Sequence, residues 1–226
     1  MSSDEHEAWR ESRRRKVTAP TGNLALIETR WGADDPAAAL VGQPATVTAS
    51  TLERVDLLSG LKQSGVRLWD SKSPAIQHFD GIDAYPYDPA WVFEARWTDA
   101  PDGERRVPFE HARDEGRTRD LPVPGDLHVT IAGRDYTLHA FDDDGTLLLV
   151  FGDPTNGRDT YGAGRFLFPE REPGTDRVRL DFNRAFVPPC GFSAAFNCPM
   201  PPPQNRIATP VEAGEKLPIF TDDFVV

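Results

Sequence analysis

Apolar and polar residues alternate with period two through much of the middle of this chain. In WVFEARW (91–97), Trp91, Phe93, Ala95 and Trp97 fall on one side and Val92, Glu94 and Arg96 on the other. That is the signature of a half-buried strand. DLHVTIAG (126–133), RDYTLHAF (134–141) and GTLLLVFGD (145–153) follow as a run of three strands. Gly133-Arg134 and the DDDG of Asp142–Gly145 break them at places suited to hairpins. ATVTAS (45–50), VRLWD (66–70), RFLF (165–168) and RVRLDF (177–182) add shorter β-prone runs. The helical signal is confined to the start. DEHEAWRESRRRKVT (4–18) has no Pro or Gly and should end before Pro20, with a second short helix or turn over Leu24–Trp31. The pattern predicts a mainly β protein with eight to ten strands. Its expected form is a single antiparallel β-sandwich or partly open β-barrel with an N-terminal α-helix, since either solution hides most strand edges. Residues 1–20 would hold the helix and residues 21–226 one β-rich domain.

Composition sharpens this picture. Apolar residues make up 38% of the 226, and thirteen Phe, five Trp and four Tyr supply much of the buriable area. A core is therefore affordable in spite of 21 prolines and 27% charged residues. The net charge of −11 argues against nucleic acid and anionic membranes as partners. The basic run RESRRRK (10–16) reads as the solvated face of the first helix. MSSDEHEAW lacks the apolar stretch of a secretion signal, and no run approaches a membrane span, so a cytoplasmic location is expected.

The stretch from Asp181 to Arg206, DFNRAFVPPCGFSAAFNCPMPPPQNR, holds both cysteines and six prolines. Such a run cannot be a helix or a central strand. Its interleaved Phe192, Phe196 and Met200 call for burial, which points to an ordered Pro-rich C-terminal cover over the β-core. Cys190 and Cys198 form a candidate thiol pair. Their C-x7-C spacing, with every histidine far away in sequence, does not fit a zinc site, and no metal or cofactor is expected. Two packed thiols, a disulfide and a catalytic thiol all stay open. YGAGR (161–165), DFNR (181–184) and QNR (204–206) concentrate polar groups. They make Tyr161, Arg165, Asp181, Asn183, Arg184, Asn205 and Arg206 the candidate lining of a pocket for a small polar or anionic molecule. The competing reading is a network of Asp–Arg and Asn contacts that pins the Pro-rich segment. An enzyme using the same pocket and a non-catalytic interaction module presenting PMPPP are the alternatives.

These motifs also carry a resemblance. TYGAGRFLF (160–168), VRLDFNRAF (178–186) and PPCGFSAAFNCPMPPPQNRIATPVEAGEK (188–216) resemble the bacterial and archaeal domain-of-unknown-function family numbered 1684. GVRLWDSKSPAIQHFDGIDAYPYDPAWVFEARW (65–97) resembles its middle region. The similarity runs from about Val66 to Lys216 and weakens upstream. It implies a shared fold and a set of motif positions, and no reaction. Val187 stands where the family pattern has Asn before Pro-Pro-Cys.

Overall fold

In the computed structural model, residues 3–101 and 105–226 are described. The chain is mainly β, with 43% strand and 18% helix, and every strand ladder is antiparallel. An N-terminal helix, α1 (Ser3–Val17), precedes strands β1 (Leu26–Trp31), β2 (Val47–Val55), β3 (Lys62–Asp70) and β4 (Phe79–Ala84). Two short helices, α2 (Pro36–Ala39) and α3 (Pro74–His78), lie between these strands. Each has Pro in its first turn and an Asp or Ser cap, Asp35 or Ser73, that accepts from a backbone N–H. Ten more strands follow: β5 (Val92–Asp99), β6 (Arg106–Glu110), β7 (Thr118–Pro122), β8 (Gly125–Ile131), β9 (Arg134–Asp143), β10 (Thr146–Phe151), β11 (Arg165–Leu167), β12 (Glu170–Arg171), β13 (Arg177–Asp181) and β14 (Glu215–Phe220).

The described residues divide into two compact units. One comprises Glu7–Gly81, Pro189–Asn197 and Pro218–Val226. Its sheet has the order β1-β3-β2, over a small cluster of Ala39, Val47, Val66 and Leu68. The Pro189–Asn197 segment of this unit is well fastened. Ser193 Oγ donates to the Leu26 carbonyl at 2.6 Å, Thr29 Oγ1 donates to the Ala195 carbonyl at 2.9 Å, and Phe192 is fully buried.

The other unit, Met1–His6, Ile82–Pro188 and Cys198–Leu217, carries a seven-stranded sheet in the order β11-β10-β9-β8-β5-β13-β12. This sheet curls into a half-barrel, the partly open barrel expected from the alternation. Its inner face is the main core: Ala95, Trp97, Leu127, Val129, Leu138, Ala140, Leu149, Phe151, Val178, Leu180 and Phe182, all nearly inaccessible. Phe182 sits at the hub of edge-on ring contacts to Trp91, Phe93 and Phe151, geometries that each add a little beyond area burial.

Two tight hairpins set the register. The β8–β9 loop is Ala132-Gly133, with φ of 49° and 75°, and the β9–β10 loop is Asp144-Gly145, with φ of 51° and 84°. Two consecutive positive φ values are what a type I′ turn requires, and Gly at the second position removes the steric penalty.

Three expectations are corrected. LIETRW is strand β1 paired with β3, and only Asn23–Ala25 before it is a helical turn. The described strands number fourteen rather than eight to ten. RVPFE and EKLPIF lack a readable alternation because Pro108 and Pro218 interrupt their pattern. Each run lies in a two-stranded ladder, β6–β7 or β14–β4, where every strand is an edge and Pro is tolerated. Third, the strand expected over RVRLDF (177–182) does not reach Phe182. β13 ends at Asp181, whose carboxylate accepts from the Asn183 N–H at 3.2 Å and caps a 3-10 turn over Phe182–Arg184.

Candidate functional site

The structure scatters the seven sequence-predicted site residues among separate networks. Arg165, of YGAGR, is fully buried at the start of β11. Its guanidinium pairs with Asp153 at 2.9 Å and donates to the carbonyls of Val211 at 2.7 Å and Ala213 at 2.5 Å, while its plane lies over the Phe151 ring. Burial pulls this guanidinium down from its usual range, and the charge of Asp153 opposes that fall. Gly164 beside it has φ of +89°, and an added Cβ would meet the Phe151 carbonyl at 2.7 Å and the Pro201 ring. The close approach that this glycine permits is therefore one between segments of the chain itself.

Asn183 is equally buried and reads the backbone of Asp88 as a strand partner would. Its Oδ1 accepts from the Asp88 N–H at 2.9 Å and its Nδ2 donates to the Asp88 carbonyl at 2.9 Å. Asn205 does the same between β9 and β10. The β9–β10 ladder runs from Asp143 opposite Thr146 to Phe141 opposite Leu148. Beyond it, the Asn205 amide accepts from the His139 N–H at 2.7 Å and donates to the His139 and Val150 carbonyls, each at 2.8 Å.

Asp181 is buried and holds Asn183 Nδ2 at 3.0 Å. Arg184 forms an ion pair with Glu170. Tyr161 is half-buried, its backbone N–H donating to the Lys216 carbonyl, and Arg206 is exposed. Asp181 and Asn183 are thus in direct contact, whereas Arg165 and Asn205 each sit in a cage of their own. Cys190 and Cys198 are both buried thiols. At Val187 the group in use is the backbone N–H, which donates to the buried Glu215 carboxylate at 2.8 Å, so this bond does not depend on the side chain at that position.

A different set of groups converges on the outer face of the seven-stranded sheet. The ladder registers place Arg177 opposite Arg96, Arg96 opposite His128, and His128 opposite Thr137. Directly opposed residues share a face, so these four form one row across β13, β5, β8 and β9. The next row, Thr98, Asp126 and His139, runs parallel to it. β5 pairs with β8 from Arg96 to Asp99, then turns away to pair with β13 back to Val92, while β8 continues with β9 to Ile131. The two central strands therefore part at Arg96 and His128. An open cleft of about 600 Å³ lies there, lined by Arg96, Arg177, His128, Thr137 and Tyr136 and also by the carboxylates of Glu94, Asp135 and Asp176.

The charges of this face are unevenly matched. Two arginines directly opposed across a ladder repel. Arg177 is offset by Glu172 at 2.8 Å. Arg96 reaches the neutral Thr98 hydroxyl at 3.0 Å, and no carboxylate among the described residues is within ion-pair distance of it. His128 Nδ1 lies 3.1 Å from Thr137 Oγ1. In the neighbouring row Asp126 is gripped by both terminal nitrogens of Arg105, at 2.6 and 2.9 Å, and by His139 Nδ1 at 2.7 Å. Burial raises the Asp126 carboxyl, but Arg105 and His139 outweigh it and hold the group below its ordinary range.

Sequence reasoning missed this face, although its signal was present. Glu94, Arg96 and Thr98, Asp126, His128 and Thr130, and Asp135, Thr137 and His139 are the polar halves of the same alternations that located the core. Alternation alone puts each on the polar side of its own strand, and register, which brings them side by side, is not written in any one strand.

The model of a protein family of unknown function, DUF1684, matches residues 77–216. This chain belongs to that family. The matched span includes β5, β8, β9 and β13, and hence both polar rows, as well as the YGAGR, DFNR and QNR motifs. Among solved structures, an uncharacterized protein of Haloarcula marismortui, determined by solution NMR, is 34% identical, with 61% of this chain and 77% of that chain covered and a TM-score of 0.49. Comparison with curated proteins returns no match. Among the described residues, no helix is long and apolar enough to cross a membrane, and no cluster of three or more His, Cys, Asp or Glu is arranged to hold a metal ion.

Proposed function

We propose that this DUF1684 protein binds a small polar molecule through an anionic group, on the outer face of its seven-stranded sheet. The observation that carries this reading is the cross-strand row Arg177–Arg96–His128–Thr137 at the mouth of the cleft. An anion over this row would relieve the Arg–Arg repulsion and give Arg96 the charged partner it lacks. The cleft volume falls within the range of roughly 300–1,000 Å³ usual for small-molecule sites. Two of the sequence-predicted residues brace the same sheet. Asn205 fixes the backbone of His139, the strand that also carries Thr137, and Arg165 locks β11 two strands further on.

Titration calorimetry with succinate as the probe, at low ionic strength, tests the reading. The wild-type protein should bind, and the affinity should fall with added salt because the site is exposed. A charge-assisted contact of about 1.5–3 kcal/mol predicts that Arg96→Met weakens binding roughly 10- to 100-fold. Arg96 is exposed, so its melting temperature should stay near that of the wild type. Equal affinity in Arg96→Met, or no heat of binding in the wild type, would refute the assignment.

A further inference from the structure

Beside the proposed anion row stands a second arrangement that binding alone does not require. His139 is partly buried, its side chain 17% exposed, and its Nδ1 is held 2.7 Å from Asp126. Asp126 is itself fixed by the fork of Arg105. In the neutral imidazole, the hydrogen bond to the Asp126 carboxylate puts the proton on Nδ1 and leaves the lone pair on Nε2. Nε2 makes no hydrogen bond to any described residue. An imidazole oriented through one nitrogen by an anchored carboxylate, with the other nitrogen unengaged, is the arrangement that general-base catalysis uses. The backbone is anchored as well. Asn205 clamps both the N–H and the carbonyl of His139.

Position gives the substrate class. His139 and Thr137 are two residues apart on one face of β9, so the His139 row lies roughly 7 Å from the anion row along the strands. With the attacking water taking up about 3 Å beside His139, a molecule whose anionic group sits between Arg96 and His128 would place its reacting carbon about 4 Å, or three bonds, from that group.

We infer that His139 is the proton-transferring group of a hydrolase acting on small carboxylic esters whose free anionic group lies about two methylenes from the ester carbonyl. Asp126 and Arg105 are its positioning residues. The inference rests on the anion-site reading above. In the step, His139 Nε2 takes a proton from water as the water oxygen bonds to the carbonyl carbon. Collapse of the tetrahedral intermediate breaks the bond between that carbon and the alkoxy oxygen. The proton held by His139 passes to the departing oxygen or to solvent, leaving a dicarboxylate and an alcohol.

The experiment is hydrolysis of mono-4-nitrophenyl succinate by the full chain, followed by nitrophenolate release, with succinate binding measured in parallel. The expected result is saturable turnover. His139→Gln should lower kcat on the order of 100-fold or more, in keeping with loss of a general base, while leaving succinate affinity intact. Asp126→Asn should lower kcat with little change in KM, a split that a general loss of fold would not produce. Succinate binding with no turnover above the His139→Gln background overturns the catalytic inference and leaves the binding reading standing. Absence of both binding and turnover overturns the two together.

Discussion

Replacing Arg165 with Met should destabilise the protein by about 3–5 kcal/mol in equilibrium urea unfolding, the usual cost of removing one member of a buried ion pair. The variant strands the Asp153 carboxylate, whose side chain is as inaccessible as that of Arg165, and leaves the carbonyls of Val211 and Ala213 without their donor. The uncompensated charge is the main term, and the lost carbonyl bonds add to it. Arg165→Lys should recover little, because a point ammonium cannot serve Asp153 and two carbonyls in the planar fork that the cage is shaped for. A double change, Arg165→Met with Asp153→Leu, should recover more than Lys does, since apolar groups of similar volume often replace a buried pair at small cost. If Arg165→Met kept wild-type stability and lost only succinate affinity, Arg165 would be a ligand contact after all.

Asn205→Leu is expected to cost about 3 kcal/mol, with the loss concentrated at one seam. Three backbone groups, the His139 N–H and the carbonyls of His139 and Val150, would face an apolar side chain, each at roughly 1–3 kcal/mol less whatever water can enter to satisfy. Native-state hydrogen exchange should therefore show the His139 amide losing protection far more than amides at the β5–β13 ladder. Uniform loss across the sheet would mean that Asn205 contributes to global stability without closing this seam. Asn205→Asp separates the two roles of the amide. It keeps the acceptor for the His139 N–H and sets a carboxylate against two carbonyls, so it should be at least as disruptive as Leu.

The fold was legible where one local rule dominated. Alternation located β5, β8, β9 and β13, and Asp144-Gly145 marked its hairpin because few residues other than Gly accept the second φ of that turn. It was illegible where tertiary pairing overrides local pattern. LIETRW carries Glu28 and Arg30, which pair with each other at 2.8 Å on a partly exposed strand, and nothing in that segment alone distinguishes it from a helix. Arg165, Asn183 and Asn205 stand out through their motifs, but polar residues that saturate buried backbone groups and polar residues that await a ligand look alike in a sequence. The distinction lies in whether the chain supplies the partners. For these three it does, through Asp153, Asp88 and His139. For Arg96 the described residues supply only a neutral hydroxyl.

The most direct test is an amide and side-chain NMR titration of the wild-type protein with succinate. Shift changes should centre on Arg96, His128, Thr137 and Arg177, with Arg165, Asn183 and Asn205 silent. Changes centred instead on Tyr161, Arg184 and Arg206, with the Arg96–His128 row unmoved, would contradict a site on the outer face of the sheet.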